Sequence, residues 1–266
     1  MSRDERALDA GMRGGHTREA IPPALATGEL EILGLMPNSS NYTFLARAGL
    51  ARAGLAHAAG DDTSATDDVL GIYKPRRGET PLWDFTDGTL CQREVAAYLV
   101  ADELGWPNIP PTVLREGPEG LGSVQLFVEF DPENHYFTLE QTYPDEFRKV
   151  ALFDHAVNNA DRKAGHCLLG TDGLIWVIDH GVCFNEEPKL RTVIWEFLGE
   201  PIPAGLLEDL RRFASSLEAG GELSTRLTEL LSAREIAAMM ERVKGLIAAG
   251  SFPEPGPGRP YPWPPI

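Results

Sequence analysis

The chain has 266 residues, 42% of them hydrophobic, which suits one large domain or two small lobes around a sizeable core. Its net charge of −16, with no lysine cluster, disfavours nucleic acid and repels anionic membrane surfaces. No apolar run reaches the length of a transmembrane helix, residues 1–16 lack the apolar stretch of a signal peptide, and Cys91, Cys167 and Cys183 form no CxxC pair. The expectation is a cytoplasmic protein with no integral membrane association, no disulfide framework and no structural zinc.

In chain order, residues 1–27 show little periodicity and read as a loose leader. Residues 29–35 and 42–46 are predicted strands joined by a polar turn ending in Ser39, Ser40 and Asn41. Residues 48–68 are Ala/Gly-rich, then acidic, and read as a partly disordered hairpin insertion. Residues 69–74 form the next strand, which Pro75 stops. Val95, Ala96, Leu99, Val100 and Leu104 recur at helical spacing, and Gly105 and Pro107 close that helix. Strands are predicted over 112–115 and 123–130, then a flexible junction over 131–138.

The second half is helical. A stripe through Phe147, Val150, Ala151 and Val157 marks a helix over 145–158, and a hairpin around Thr171-Asp172-Gly173 follows. Two more helix faces run from Leu206 to Leu217 and from Ile236 to Ile247, the second opened by a capping box of Ser232 and Glu235. Half of residues 252–265 are proline, which predicts an extended tail. The organisation expected is α+β: a β-rich N-lobe over 28–130, a mainly helical C-lobe over 131–250 and a Pro-rich tail over 251–266.

The chemistry concentrates in residues 154–166, which crowd two Asp, two Asn, two His, an Arg and a Lys into thirteen positions. An apolar strand then ends in Asp179-His180-Gly181. A carboxylate at the end of a buried strand is costly unless a cation or donors compensate it. Phosphoryl transfer supplies such a reason: one acid orients the attacking hydroxyl, and others hold a divalent cation against the nucleotide phosphates. Asp161 begins an Asp-x-x-x-x-Asn spacing with His166 in the Asn position, and Asp179 opens an Asp-x-Gly. Upstream, Lys74 ends a strand and Glu94 lies on the next helix, placed to reach phosphates and to orient the lysine. Singly, a strand-end lysine is most often a surface residue and Asp-His-Gly a turn. In this order together they point to a kinase.

These motifs resemble the phosphatidylinositol 3-/4-kinase superfamily, in detail its type II phosphatidylinositol 4-kinases, and a set of actinobacterial proteins distantly similar to them. Residues 34–46 resemble the nucleotide-binding hairpin, 71–75 the lysine strand and 93–97 the helix of the acidic partner. Residues 122–129 resemble the strand entering the lobe hinge, 159–162 the catalytic loop and 178–181 the metal-binding turn. The resemblance implies a protein-kinase-like two-lobed fold and an ATP-dependent phosphotransferase. Ser39, Ser40 and Asn41 would cover the phosphates, Lys74 grip them, Glu94 hold Lys74, and Phe127 and Val128 border the adenine. Asp161 would position or deprotonate the acceptor hydroxyl and Lys163 stabilise the γ-phosphate. Asp179, helped by His166, would hold Mg²⁺, with Mn²⁺ possible. Asp154, Asn159 and Arg162 would brace the loop. The acceptor hydroxyl, on a lipid, a small molecule or a protein, stays open.

Two departures stand out. His166 replaces an Asn ligand, and imidazole suits softer ions than Mg²⁺. The Cys-rich acylated segment of the type II lipid kinases has no counterpart. Three other readings follow: a pseudokinase or nucleotide-binding regulator, transfer of AMP instead of phosphate, and a metal-dependent phosphohydrolase built on His155, His166, His180, Asp154, Asp161 and Asp179.

Overall fold

The computed structural model describes residues 20–37, 41–49, 68–256 and 258–266. Ser39, Ser40 and most of the 48–68 insertion lie outside the described residues.

The N-terminal part is a five-stranded antiparallel sheet of order β1-β2-β3-β5-β4, built from β1 (Glu29–Leu35), β2 (Phe44–Gly49), β3 (Val69–Pro75), β4 (Thr112–Gly117) and β5 (Gly120–Leu126). A short helix α1 (Pro23–Thr27) closes one face, where a loose leader is expected from sequence. Pro23 opens it, Leu25 is buried, and Arg115 donates to the carbonyls of Leu25 and Gly28. Gly28 is required there: a Cβ would lie 2.5 Å from the Ala24 carbonyl oxygen and 2.6 Å from that of Gly49.

The two-residue period of β3 sorts its side chains. Tyr73 enters a small core with Leu25, Leu30, Ala46, Ala48 and Val124, while Ile72 and Lys74 face the other way, toward the second half of the molecule. Pairing fixes the register, with Lys74 opposite Ser123 and Ile72 opposite Gln125.

Helix α2 (Leu90–Leu104) connects β3 to β4 and is buried around most of its circumference. The Glu79 carboxylate accepts from the amides of Leu90 and Cys91 at 3.0 and 2.8 Å, which satisfies donors at the start of the helix. Gly105, at φ 82°, ends it in the left-handed conformation.

The strand expected over 123–130 stops at Leu126. Residues 127–130 form the link between lobes: the Phe127 amide donates to Leu70, the Thr171 amide donates to Glu129, and Phe130 bridges Gly170. Where a flexible junction is expected, helix α3 (Tyr136–Leu139) packs Tyr136 edge-on against Phe147.

The C-terminal part is helical. Helix α4 (Pro144–Val157) leads through a loop and a 3-10 turn to the hairpin β6 (Cys167–Leu169) and β7 (Ile175–Val177). Helices α5 (Ala204–Glu218), α6 (Glu222–Leu230) and α7 (Ala233–Ala249) follow, α7 with the expected capping box. Their apolar faces share one large core with α2 and α4. The architecture is the α+β, two-lobed one that the sequence predicts. No helix among the described residues is long and apolar enough to cross a membrane.

Candidate active site

Between the lobes lies a cleft of about 360 Å³. Asn41, Lys74 and Glu94 line it from one side, and Asp161, Lys163, His166 and Asp179 from the other. Gln125, Phe127, Val128 and Leu168 also line it. Every sequence-predicted site residue among those described faces this one space.

Lys74 is the centre of the arrangement. Its Nζ donates to Glu94 Oε1 and, at 2.9 Å, to Asp179 Oδ1. The three residues come from a strand, a helix and a turn separated by up to 105 positions. Burial works against the Lys74 charge, but Asp179 and Glu94 outweigh it and raise its pKa. Conversely, Lys74 holds Asp179 well below the usual carboxylate range. Burial pushes Glu94 upward, opposed by Lys74. The second oxygen of Glu94 accepts the His180 amide at 2.9 Å, so this one side chain links the lysine strand to the Asp179 turn.

Asp179 follows β7 with φ 62°, a left-handed conformation that Asp tolerates better than most residues. That reversal breaks the strand direction and leaves the carboxylate about half open to the cleft. Its Oδ2 lies 3.3 Å from His166 Nε2. His166 Nδ1 accepts the Lys163 amide at 3.4 Å, so the proton of the neutral ring belongs on Nε2, facing Asp179. Burial pulls His166 down to about 4, so the ring is neutral near pH 7.

On the same wall as Asp179, Asp161 is held by its amide, which donates to Asn159 Oδ1 at 3.0 Å. Burial raises its pKa, opposed by Lys163, whose Nζ lies 3.4 Å from Oδ2. A carboxylate moved upward toward neutrality is a better proton acceptor than an ordinary surface one.

Beneath the loop lies a network of buried polar groups. Arg162 and Asp154 are both fully buried, with Arg162 Nε and Nη2 on the Asp154 carboxylate at 2.9–3.1 Å. Asn159 and Thr192 also donate to Asp154. Arg162 donates to the Ile178 carbonyl at 2.8 Å and lies 2.7 Å from His180 Nε2, which therefore accepts. The loop of Asp161 and the turn of Asp179 are thus fixed to each other through one guanidinium.

Sequence reasoning assigned the bracing role to Asp154, Asn159 and Arg162 but missed His180 and Thr192. It also missed Arg93, a buried guanidinium that donates to Glu235 on α7 and to the Cys183 carbonyl. Nothing in the sequence marks the Arg93–Glu235 pair, whose members are 142 positions apart. The six residues of the phosphohydrolase reading are not gathered around one point: His155 faces a separate small cavity beside Ile194 and Phe252, and Asp154 is committed to Arg162. Among the described residues no group of three or more His, Cys, Asp or Glu side chains could hold a metal ion.

A family model for phosphatidylinositol 3- and 4-kinase matches residues 107–235, from the approach to β4 through the Asp161 loop and the Asp179 turn to the start of α7. Protein Rv2133c of Mycobacterium tuberculosis is 38% identical over 90% of this chain and 93% of its own length. The chain belongs to the same family as Rv2133c. Phosphatidylinositol 4-kinase gamma 4 of rice (Oryza sativa subsp. japonica) is 33% identical over 39% of the chain, which covers 22% of that longer protein. A Helicobacter pylori proinflammatory kinase, CtkA, aligns with 86% of this chain and 94% of its own at 10% identity, with a TM-score of 0.48. In this Rv2133c relative the match to the family model takes in Phe127, Val128, Asp161, Lys163, His166 and Asp179, while Lys74 and Glu94 lie outside it.

Proposed function

We propose that the protein is an ATP-dependent phosphotransferase that passes the γ-phosphate of ATP to a hydroxyl group of an acceptor. One observation carries the reading: Lys74, Glu94 and Asp179, from three distant segments, meet within hydrogen-bonding distance in a cleft that also presents Asp161. A lysine shared by one buried carboxylate, Glu94, and one half-open carboxylate, Asp179, is a poor device for stability, because taking the Glu94 charge out of water costs more than the attraction reliably returns. It is a good device for receiving phosphates.

Met36, Pro37 and Asn41 line one side of the cleft and would lie over the phosphates, and Phe127 and Val128 would border the base. Lys74 contacts the phosphates and Glu94 keeps it extended. Asp179 is the carboxylate for a divalent cation. A single carboxylate fits Mg²⁺, which keeps several waters and takes its remaining ligands from phosphate oxygens. When bound, that ion neutralises charge on the phosphates. His166 orients Asp179 through its Nε2–H. Asp161 receives the hydroxyl proton of the acceptor, and Lys163 stabilises negative charge on the transferring group. The acceptor is a lipid, a small molecule or a protein hydroxyl.

The test is transfer from labelled ATP with Mg²⁺ or Mn²⁺ to fractionated lysate. Asp161→Asn is expected to lower transfer by about 10²–10⁴-fold and leave ATP binding intact. Asp179→Asn is expected to abolish metal-dependent transfer. Full turnover in both variants would overturn the assignment. One observation favours a second reading, nucleotide binding without transfer: both oxygens of Asp179 already have protein partners. Tight ATP binding with no labelled product in any fraction would select it.

A further inference from the structure

The Pro-rich tail is the one feature of the sequence that the cleft does not absorb. It runs back along the C-lobe to the loop of Asp161. The Phe252 ring anchors its start in the core against Phe197. Farther on, the Pro260 carbonyl accepts the Thr192 amide at 3.0 Å and the Trp195 indole N–H at 3.2 Å. The Pro265 carbonyl accepts the Ala164 amide at 2.8 Å, and Ile266 packs over Gly165, 4.0 Å from where a Cβ would stand.

All three of these bonds run from the body to the tail. Proline has no N–H, so a Pro-rich segment binds by accepting. Its fixed φ also lowers the entropy lost when such a segment is ordered. The sites it chooses are specific. Ala164 opens the 3-10 turn between Lys163 and His166, and Thr192 bridges to Arg162 and donates to Asp154. The tail therefore bonds to both segments that hold the Asp161 loop.

We infer that residues 258–266 are a positioning strap for the Lys163–His166 turn, holding Lys163 and His166 toward the cleft. The inference rests on the phosphotransferase reading for its consequence in catalysis, and on geometry alone for its structural part. None of the strap residues lines the cleft. The strap's effect passes through the turn: the His166 amide donates to Lys163, and the Ile178 amide, next to Asp179, donates to the His166 carbonyl.

Two variants test it beside the full chain: one ending after residue 257, and Ala164→Pro. The second removes the donor that Pro265 accepts and sets a ring carbon against that carbonyl, at the first position of a turn whose preceding residue, Lys163, is already extended (ψ 161°) as proline demands. Amide hydrogen exchange is the first readout. In the shortened chain, protection is expected to fall at least about tenfold at Ala164 and Thr192, and also at His166 and Ile178, which the tail does not touch. Ala164→Pro should reproduce the loss at His166 and Ile178. If His166 and Ile178 keep their protection in both variants, the strap does not hold the turn and the inference fails. Transfer is the second readout: kcat should fall at least about tenfold with KM for ATP nearly unchanged, and a peptide of residues 258–266 added to the shortened chain should restore part of it. An unchanged kcat overturns the positioning role even if exchange rises. A full chain that exchanges as expected yet transfers nothing counts against the phosphotransferase reading and leaves the strap standing.

Discussion

The two walls of the cleft are held by different physics. The wall carrying Asp161 and Asp179 rests on side chains that bond one another at close sequence range, centred on the fully buried Arg162–Asp154 pair. The wall carrying Lys74 rests on strand register and, among the described residues, a core of six buried side chains. Helix α2 crosses this division. It follows the lysine strand in sequence, but its buried side chains belong to the large core, and Arg93 ties it to Glu235 and the Cys183 carbonyl. The Lys74–Glu94 pair therefore spans the seam between a small body and a large one. In the proposed reading, a nucleotide that engages Lys74 would touch both bodies.

The largest difference between the walls should appear in stability. Asp154→Ala leaves the Arg162 guanidinium buried, with no carboxylate, in a site with no exposure. Breaking a buried pair by removing one partner costs about 3–5 kcal/mol. Urea denaturation should show this loss, and a cost below about 1 kcal/mol would mean that the network is not what holds that wall. On the other wall, Lys74→Met should cost less stability than Asp154→Ala, because Asp179 is half open to the cleft and Glu94 keeps the His180 amide, and should lower transfer by about 10²-fold or more. If Lys74→Met unfolds the protein as readily as Asp154→Ala does, the two walls are not held differently.

This contrast also explains what was legible in the sequence. Asp161 and His166 were readable because their partners Asn159 and Lys163 lie two or three positions away, and Asp179 because it closes an apolar strand in Asp-x-Gly, although its partners Lys74 and His166 are distant. Lys74 and Glu94 were readable only by their order and spacing, since a register is not written in any single residue. The His180 amide on Glu94 was invisible, because every residue has an amide. So was the docking of the tail, which works through carbonyls. Helix α6 did leave a signal, Leu223, Leu227 and Leu230 at helical spacing, but over only nine residues, too short for the period to stand out. The strand forecast over 123–130 overran because the apolar pattern continues into the link, whose backbone turns to bond Leu70 and Gly170. The Gly of Asp-His-Gly has no steric explanation: a Cβ at Gly181 would meet nothing closer than 3.5 Å.

A subtler asymmetry concerns acid. His155, on the helix that leads into the Asp161 loop, is held neutral by burial and by Arg242, with its pKa lowered to about 4. An unfolded His titrates near 6.5. Between these values the unfolded chain binds a proton that the folded chain refuses, so stability is full above about pH 6.5 and falls as pH drops toward 4. His155→Leu removes that loss. Its stability should decline by about 2 kcal/mol less than the parent's between pH 6.5 and 5, measured by denaturation at each pH. Parallel curves for the two proteins would show that His155 is solvated or paired in the native state.

The smallest expected effect falls at His166, where the chain departs from the kinase pattern. Its ring presents Nε2–H to Asp179, and its neutrality leaves Asp179 a full negative charge for a cation. An asparagine in its place can donate the same hydrogen bond through its amide nitrogen and offer an oxygen, which a hard cation prefers to imidazole. His166→Asn should therefore keep Mg²⁺-dependent transfer within about threefold of the parent or raise it, and shift the ratio of Mg²⁺- to Mn²⁺-supported rates toward Mg²⁺. Loss of transfer with both metals, in a variant that still binds ATP, would assign the imidazole a role that orienting Asp179 does not contain. The site would then be built around His166, and its wall of the cleft would owe less to the Asp161 and Asp179 motifs than their bonding suggests.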